Sequence, residues 1–271
     1  MIADRARLMP EEDWFAKLYR DPAARMASAK ELIEEMDRSG VDRAVVLGFP
    51  FRSLDLCVKS NSYLAEAAGR WPGRIAGFAN APPLSPGAAA EIERCLGLGL
   101  KGIGELVPDS QGFDLADTGA VRPLAKLAEQ HGVPMLIHLS EPVGHGYKGK
   151  SGTTPEKGYA LARTFPGLKL VFAHWGGGLP FYELMPEVRS DLAGAYYDSA
   201  ASPFLYDAKV FKVAVSILGP EKILFGSDFP LLSPLRCRRE IEAAGLSAAE
   251  TGAIMGGNAA RILEGKSGNP A

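Results

Sequence analysis

Seven short apolar runs, rich in β-forming residues, recur through the chain at steps of about thirty residues. A step of this length holds one strand, one helix and two short connections. Strands that alternate with helices predict a parallel sheet covered by helices on both faces, either closed as a barrel or left open and doubly wound. The runs cover residues 43–49, 74–80, 101–105, 134–138, 168–174, 195–198 and 222–228.

Residues that typically start and end helices lie between these runs. Ser28 and Glu31 have the spacing of a capping box, and Gly40 stands where that helix would end. Ser85-Pro86 and Thr154-Pro155 each combine a capping side chain with a proline suited to the first helical turn. These signals predict helices in the intervals between the strands.

The two ends of the chain depart from this rhythm. Residues 1–21 contain no strand-like run and are predicted to be irregular, and residues 266–271 are predicted to be a frayed tail. A closed eight-stranded barrel would need one more strand just before the first helix. We expect a single domain over residues 1–271, because an α/β barrel uses about 250 residues for one core.

The composition narrows the range of partners. The formal net charge of -2 and the pI of about 6.1 provide no general attraction for nucleic acid or anionic membranes. The sequence contains neither a signal peptide pattern nor an apolar run of about 18 residues. The three cysteines lie far apart and outside any CxxC pair, which argues against disulfides. We expect a cytoplasmic protein with no nucleic-acid or membrane partner.

Residues at the ends of four of these runs are the candidate ligands for a divalent cation: Glu105, His138, His174 and Asp228. The carboxyl ends of parallel strands open onto one shared face, so these side chains are predicted to converge there. Each residue alone has a simpler interpretation, such as a hydrogen-bonded core histidine or a turn-capping aspartate. Their shared position at the ends of four strands favours a metal site.

The motifs at these strand ends also resemble those of a known family. The segments GE, LIHLSE, FAHWGG and FGSDFP, followed by GNAARIL at residues 257–263, resemble the amidohydrolase-related (amidohydrolase 2) branch of the amidohydrolase superfamily. The resemblance covers about residues 25–264 and implies a TIM-like (β/α) barrel of the metal-dependent hydrolase type. It implies that His138 and Asp228 are metal ligands, and that Asp228 takes a proton from metal-bound water. It further implies that His174 is a second ligand or an acid/base, and that Glu105 is a bridging carboxylate.

One part of the family pattern is absent from this sequence. Family members normally begin with a strand that ends in His-x-His, and no His-x-His occurs here. We therefore predict a barrel whose first strand is missing or truncated. Met1 is expected to be an internal methionine of a longer reading frame, the alternative being a natural variant that has lost tight metal binding. Unpaired strand edges at the gap would favour association, so a homo-oligomer is also expected.

The resemblance implies metal-assisted hydrolysis of a small, carboxylate-bearing molecule, with Asp228 and His174 as catalytic residues. A bound Zn²⁺, or alternatively Mn²⁺, would activate the attacking water, whose pKa on zinc is roughly 7. Two other classes of function stay open. One is a decarboxylase or hydratase of the same fold, and the other is a non-catalytic or P-loop nucleotide-binding protein.

A long glycine-rich loop follows His138 and is predicted to reach the metal face. Its residues His145, Tyr147, Lys148 and Lys150 are candidates for binding an anionic substrate. Arg52, just past the run 43–49, is a further candidate. The simpler interpretation is a solvated, mobile surface loop.

Two glycine patterns in the sequence match nucleotide-binding motifs. Residues 144–151 match G-x-x-x-x-G-K-[ST], but that motif needs a helix starting at its lysine and serine, whereas the next helix is predicted to start at Thr154. Gly97, Gly99 and Gly102 spell G-x-G-x-x-G after a helix and before a strand, the reverse of the dinucleotide-binding order. Neither match has the context that predicts a nucleotide site.

Overall fold

The computed structural model describes residues 5–264, and all seven predicted strands are present in it. Each strand lies within its apolar run or overlaps it, so the recurrence of these runs identified the β-structure correctly. The strands are β1 (Ala44–Leu47), β2 (Ile75–Phe78), β3 (Ile103–Leu106), β4 (Met135–Ile137), β5 (Leu170–Phe172), β6 (Ala195–Asp198) and β7 (Ile223–Leu224).

Helices occupy every interval between these strands, and further helices precede β1 and follow β7. They are α1 (Arg5–Leu8), α2 (Asp13–Tyr19), α3 (Ala29–Ser39), α4 (Leu54–Arg70), α5 (Ala88–Gly97), α6 (Pro108–Gln111), α7 (Arg122–His131), α8 (Pro155–Thr164), α9 (Pro186–Asp191), α10 (Ser202–Leu205), α11 (Lys209–Leu218), α12 (Pro234–Ala243), α13 (Ala248–Gly252) and α14 (Asn258–Glu264). In the part of the chain that the structure describes, none of them is long and apolar enough to cross a membrane.

Two of the three helix starts predicted from capping signals are confirmed, Ser28 for α3 and Thr154 for α8. The capping box of Ser28 and Glu31 begins α3, and Gly40, with a left-handed φ of 66°, ends it. The predicted helix start at Ser85-Pro86 is wrong, because α5 begins later, at Ala88. Two turns come first, closed by hydrogen bonds from the Ser85 amide to the Pro82 carbonyl and from the Ala88 amide to the Ser85 carbonyl.

The strands lie side by side in chain order and are all parallel. β1 pairs with β2, and β3 to β7 form a second, continuous ladder. A bridge between Ala79 and Ile103, with hydrogen bonds from the Ala79 amide to the Gly102 carbonyl and from the Gly104 amide to the Ala79 carbonyl, joins the two groups. This sequential parallel order, with helices in between, is the arrangement of a TIM-type (β/α) barrel.

The barrel has a seam between β7 and β1, where the predicted gap lies. Within residues 5–264, no strand precedes α3 and no pairing joins β7 to β1. All four residues of β1 are partly exposed although the strand is entirely apolar. On the outside, α3 and α12 close the seam, and the Ser233 hydroxyl donates to Glu35 Oε1 at 2.6 Å.

The prediction that residues 1–21 are irregular is wrong for most of the described part of this segment. Of the region 1–21 that was predicted to be irregular, residues 5–8 and 13–19 are the helices α1 and α2. Leu8 and Phe15 are each 1% exposed, because they pack in a cluster with Phe51, Leu56 and Cys57. Burial of these apolar side chains stabilises helices that are too short to form alone. Residues 1–4 and the predicted frayed tail at 266–271 lie outside the described residues.

Alternating residues of the strands serve two different cores. In β4, the side chains of Met135 and Ile137 face the surrounding helices, and Leu136 faces the barrel interior, as the two-residue period of a strand requires. The outer core is closed by buried residues of the helices, such as Ile92, Leu124 and Leu161. The inner core joins the interior faces of several strands to the last helix, through Phe78, Leu136, Val171, Leu224 and Ile262.

Candidate metal centre

One cavity of about 1840 Å³ spans the carboxyl ends of the strands, where all four candidate ligands line it, and continues along the β7–β1 seam to residues ahead of β1 such as Asp42 and Arg43. Glu105 lies in β3, His138 directly follows β4, His174 follows β5, and Asp228 lies in the loop after β7. The parallel order of the strands explains this convergence, because every strand presents its carboxyl end to the same side.

Three of the four residues form a compact cluster. One possible ligand atom each from Glu105, His138 and His174 lies within 4.8 Å of the others. Glu105 Oε1 is 2.8 Å from His138 Nδ1 and 3.6 Å from His174 Nε2, and the two imidazole centroids are 4.9 Å apart. One carboxylate oxygen and two imidazole nitrogens are a donor set that suits Zn²⁺, Mn²⁺ or Fe²⁺. The residues of this chain therefore fit a divalent cation.

Asp228 lies in the same cavity but outside this cluster. Its backbone is in the left-handed region, with φ of 57°, and its surface is exposed to the cavity. Its carboxylate makes no hydrogen bond within residues 5–264. Four residues were predicted to converge on one ion-sized point. Glu105, His138 and His174 do so, whereas Asp228 faces the open space of the cavity beside them.

The charges of the cluster are strongly coupled. Burial alone would raise the pKa of Glu105, but its contacts with the imidazoles of His138 and His174 outweigh burial and hold that pKa well below its usual range. Burial would likewise lower the pKa of His174, but Glu105 first, and then Asp228 and Asp198, raise it to about 10. Without a cation, Glu105 and His174 are therefore a carboxylate–imidazolium pair, and a bound cation takes the place of the proton.

The pKa of Asp228 moves in the opposite direction to that of Glu105. Loss of hydration among surrounding protein atoms is the larger cause, and the negative charge of Glu105 adds to it, so that the pKa of Asp228 is raised. The positive charges of His174 and His138 offset only part of this shift. Two carboxyl groups in one cavity thus differ in proton affinity, which is lowered for Glu105 and raised for Asp228.

Backbone geometry holds His174 in place. Its amide donates to Asp198 Oδ1 at 2.9 Å, and its ring Nδ1 lies 3.2 Å from the carbonyl oxygen of Ala200, which leaves Nε2 facing Glu105. Residues 174–178 form a left-handed turn in which every φ is positive. Gly177 is required there, because a Cβ atom would lie 2.5 Å from the Ser140 carbonyl oxygen. Strained backbone of this kind is typical of functional sites.

His138 is connected to the glycine-rich loop that follows it. Its Nε2 lies 3.2 Å from the Ser140 hydroxyl, which also accepts a hydrogen bond of 3.0 Å from the Ser151 amide. Partners of this kind orient a metal-binding imidazole ring. The loop is thereby anchored to the metal centre at its far end.

Glu105 rests on a buried polar network that the sequence analysis missed. The Asn80 side chain donates to the Glu105 carbonyl oxygen at 2.6 Å and accepts from Gln111 Nε2 at 2.8 Å. Asn61 accepts from the Asn80 amide at 2.9 Å and donates to Glu91 Oε1 at 2.8 Å. A sequence signal was present, because Asn80 is the polar residue that ends the run 74–80, at the same end as the four ligand candidates.

Three of the five predicted substrate-binding residues line the cavity and two do not. His145, Tyr147 and Lys148 line the cavity, whereas the structure does not bring Lys150 or Arg52 to its wall. Lys150 instead stabilises the loop itself, since its ammonium group donates to the carbonyls of Val143 at 2.7 Å and His145 at 3.3 Å.

Of the remaining loop contacts, one lies within the loop and one joins it to the N-terminal segment. The Tyr147 hydroxyl donates to Glu141 at 2.9 Å, and Lys148 forms an exposed ion pair with Asp21 at 3.9 Å. α8 begins at Pro155, beyond the lysine and serine of the P-loop match, so the phosphate-binding helix start is not formed there. The loop is an internally bonded wall of the cavity.

The family is established by comparison with known proteins. A sequence model of the family described as Amidohydrolase matches residues 4–265. The chain belongs to the amidohydrolase family. The amidohydrolase fold is of the TIM-barrel type, which agrees with the parallel strand order described above, and the chain is an enzyme of the amidohydrolase superfamily. The predicted family and fold class are both confirmed.

This amidohydrolase-family enzyme is similar to several decarboxylases. It is 25% identical to 2-amino-3-carboxymuconate-6-semialdehyde decarboxylase of Dictyostelium discoideum, over 91% of this chain and 79% of that protein. It is 23% identical to gamma-resorcylate decarboxylase of Polaromonas sp., over 97% of this chain and 94% of that protein. A 5-carboxyvanillate decarboxylase of Novosphingobium aromaticivorans, solved with manganese and 4-hydroxy-3-methoxy-5-nitrobenzoic acid, has a TM-score of 0.77 at 19% identity, over 97% of this chain and 92% of that chain.

These relatives correct the predicted reaction. The sequence analysis favoured hydrolysis by an activated water, but the relatives named above are lyases that release CO₂. The error has a physical origin, because the same strand-end ligands can stabilise negative charge on a substrate or on an attacking water. The cluster of Glu105, His138 and His174 supports a divalent metal, but its donor set does not single out zinc.

Proposed function

We propose that the protein is a metal-dependent decarboxylase acting on a small, planar, conjugated carboxylate. The observation that carries this proposal is its similarity over nearly the whole chain to decarboxylases of such acids. The site supports the proposal, because a cluster whose donor atoms fit a cation and a carboxyl group with a raised pKa share one cavity.

The cation would be held by Glu105, His138 and His174, the three residues whose donor atoms converge. A divalent cation bound there supplies positive charge that stabilises the negative charge developing on the substrate as its carbon–carbon bond breaks. Mn²⁺ is the metal to try first, because the solved 5-carboxyvanillate decarboxylase holds manganese.

We assign the proton transfer to Asp228. In decarboxylation the bond to the carboxylate carbon breaks, CO₂ leaves, and the electron pair that stays on the substrate carbon takes up one proton. Asp228 has a raised pKa, is exposed to the cavity and makes no hydrogen bond within residues 5–264 that would have to be broken. After delivering its proton to the substrate carbon, the carboxylate is reprotonated from solvent, so the cycle consumes one proton for each CO₂ released.

The test is product analysis with purified, Mn²⁺-loaded protein. Gamma-resorcylate and 5-carboxyvanillate are incubated with it, and released CO₂ and the decarboxylated product are followed by gas detection and proton NMR. We expect stoichiometric CO₂ and a new ring proton. Asp228→Asn should reduce kcat by about 10²-fold or more, the contribution typical of general acid catalysis.

The matched control for this variant is Asp55→Asn, an exposed aspartate in the first turn of α4. It should leave kcat unchanged. Absence of CO₂ from a panel of aromatic and muconate-type carboxylates would overturn the proposed function. Full activity of Asp228→Asn would overturn only the assignment of the proton carrier.

A further inference from the structure

A wall of aromatic side chains lines the cavity on the side of the N-terminal helices. Phe15 and Tyr19 of α2 and Phe49 after β1 all line it. The ring centroids of Phe15 and Tyr19 are 4.8 Å apart, those of Phe15 and Phe49 are 5.2 Å apart, and those of Tyr19 and Phe49 are 6.0 Å apart. These distances are typical of mutually supporting aromatic rings, so the wall is a preformed surface.

The hydroxyl of Tyr19 is the polar group of this wall. Within residues 5–264 it donates to no protein acceptor, and the Asp228 carboxylate in the same cavity also lacks a hydrogen-bond partner. Burial first, and the negative charge of Asp228 second, raise the pKa of Tyr19, so the phenol keeps its proton at neutral pH. The Tyr19 hydroxyl and the Asp228 carboxyl group thus face the same space.

The backbone around Tyr19 is held firmly. Arg5 donates from Nε to the Tyr19 carbonyl oxygen at 3.0 Å and from Nη1 to the Ala24 carbonyl oxygen at 3.2 Å, and its Nη2 contacts the Tyr19 and Asp21 carbonyls as well. These bonds satisfy carbonyl groups at the end of α2. Tyr19 is therefore fixed where it stands, as a residue that selects ligands must be.

We propose that Tyr19 is a specificity-determining residue, which hydrogen-bonds a hydroxyl or other polar substituent of a planar ring lying against the half-buried rings of Tyr19 and Phe49, which buried Phe15 supports. This inference rests on the proposed function and adds to it a residue that selects for a polar substituent on the substrate ring. A site that supplies a hydrogen-bond partner for a ligand hydroxyl rejects the analogue without it, because the protein group is then left unpaired.

The test compares two ligands on two proteins. Binding of 2,6-dihydroxybenzoate and of benzoate to the Mn²⁺-loaded protein is measured by calorimetry, in wild type and in Tyr19→Phe. Wild type is expected to prefer the dihydroxylated ligand, and Tyr19→Phe should reduce that preference on the order of tenfold, the equivalent of one hydrogen bond. Its affinity for benzoate should not change, because the ring remains.

Tyr182→Phe is the matched control, since Tyr182 is 54% exposed and does not line the cavity. Tyr19→Leu, which also removes the ring, should weaken binding of both ligands. Equal selectivity of Tyr19→Phe and wild type, or failure of wild type to bind either ligand, would overturn the proposal. Selective binding without any CO₂ release would leave the role of Tyr19 standing and defeat the proposed function, so the two failures are distinguishable.

Discussion

At the scale of single residues, the site is defined by two carboxyl groups with different environments. Glu105 is held as an anion between two imidazoles, whereas Asp228 is surrounded by protein atoms without a hydrogen-bond partner in residues 5–264. The first kind of group attracts a cation, and the second binds a proton more tightly than a free carboxyl group does. This difference suits a reaction in which negative charge develops on carbon and is then quenched by a proton.

Glu105 is therefore expected to matter most for metal binding. Glu105→Gln removes the only carboxylate of the three-residue cluster, and the affinity for Mn²⁺ should fall by at least about tenfold, since even the loss of an outer partner of a ligand typically costs that much. The measurement is metal content by mass spectrometry after dialysis against limiting Mn²⁺.

A matched control exists on the surface. Glu93 contacts His131 at 3.1 Å, the same pair of residue types in an exposed position. Glu93→Gln should leave metal content unchanged. Undiminished metal in Glu105→Gln would show that this carboxylate is not a ligand.

At the scale of elements, a buried polar network joins α4, α5 and the loop after β2 to the strand that carries Glu105. Glu91 of α5 accepts hydrogen bonds from Asn61 Nδ2 at 2.8 Å, from Arg94 Nε at 2.7 Å and from Cys95 Sγ at 3.1 Å. Burial alone would raise the pKa of Glu91, but these bonds outweigh burial and lower it. The network therefore needs the ionised carboxylate.

The stability contributed by Glu91 should depend on pH in a defined direction. Because its pKa is lowered by folding, the contribution is fully present above the unfolded pKa of about 4.3 and is lost as pH falls through the folded value. Glu91→Gln should unfold more easily than wild type at pH 7, by about 1–3 kcal/mol. Chemical denaturation at a series of pH values should show this difference shrinking below about pH 4.3. A difference that grows in acid would contradict the assigned network.

At the scale of the whole molecule, the seam between β7 and β1 decides how the barrel closes. Seven strands leave the apolar β1 partly exposed, and the contact of α3 with α12 covers this region from outside. Glu35 is the centre of that contact: it is 6% exposed, accepts from Ser233 at 2.6 Å and pairs with Arg38 at 2.8 Å. Association through the seam stays a prediction.

Removing the charge of Glu35 should therefore loosen the seam. Glu35→Gln is expected to lower the free energy of unfolding by about 1–3 kcal/mol, because it weakens bonds to a buried carboxylate. Hydrogen exchange of β1 amides should accelerate in the same variant.

Its control is Glu34→Gln on the same helix, where an exposed pair with Lys30 at 3.8 Å should contribute at most about 1 kcal/mol. Equal stability and equal β1 exchange in the two variants would mean that α3 and α12 do not hold the seam.

The sequence predicted what depends on neighbours along the chain. The seven strands and the starts of α3 and α8 follow from apolar runs and capping residues, which act over a few positions. The ligand candidates were found because parallel strands present their ends to one side, a rule of topology that needs no coordinates.

The tertiary structure decided what depends on contacts between distant segments. It gathered Glu105, His138 and His174 but not Asp228, built α1 and α2 by burying Leu8 and Phe15, and turned Lys150 away from the cavity. Packing and desolvation act across space between residues that no local pattern relates. The sequence determined which groups reach the carboxyl face of the barrel, and only the packed structure decided which of them touch.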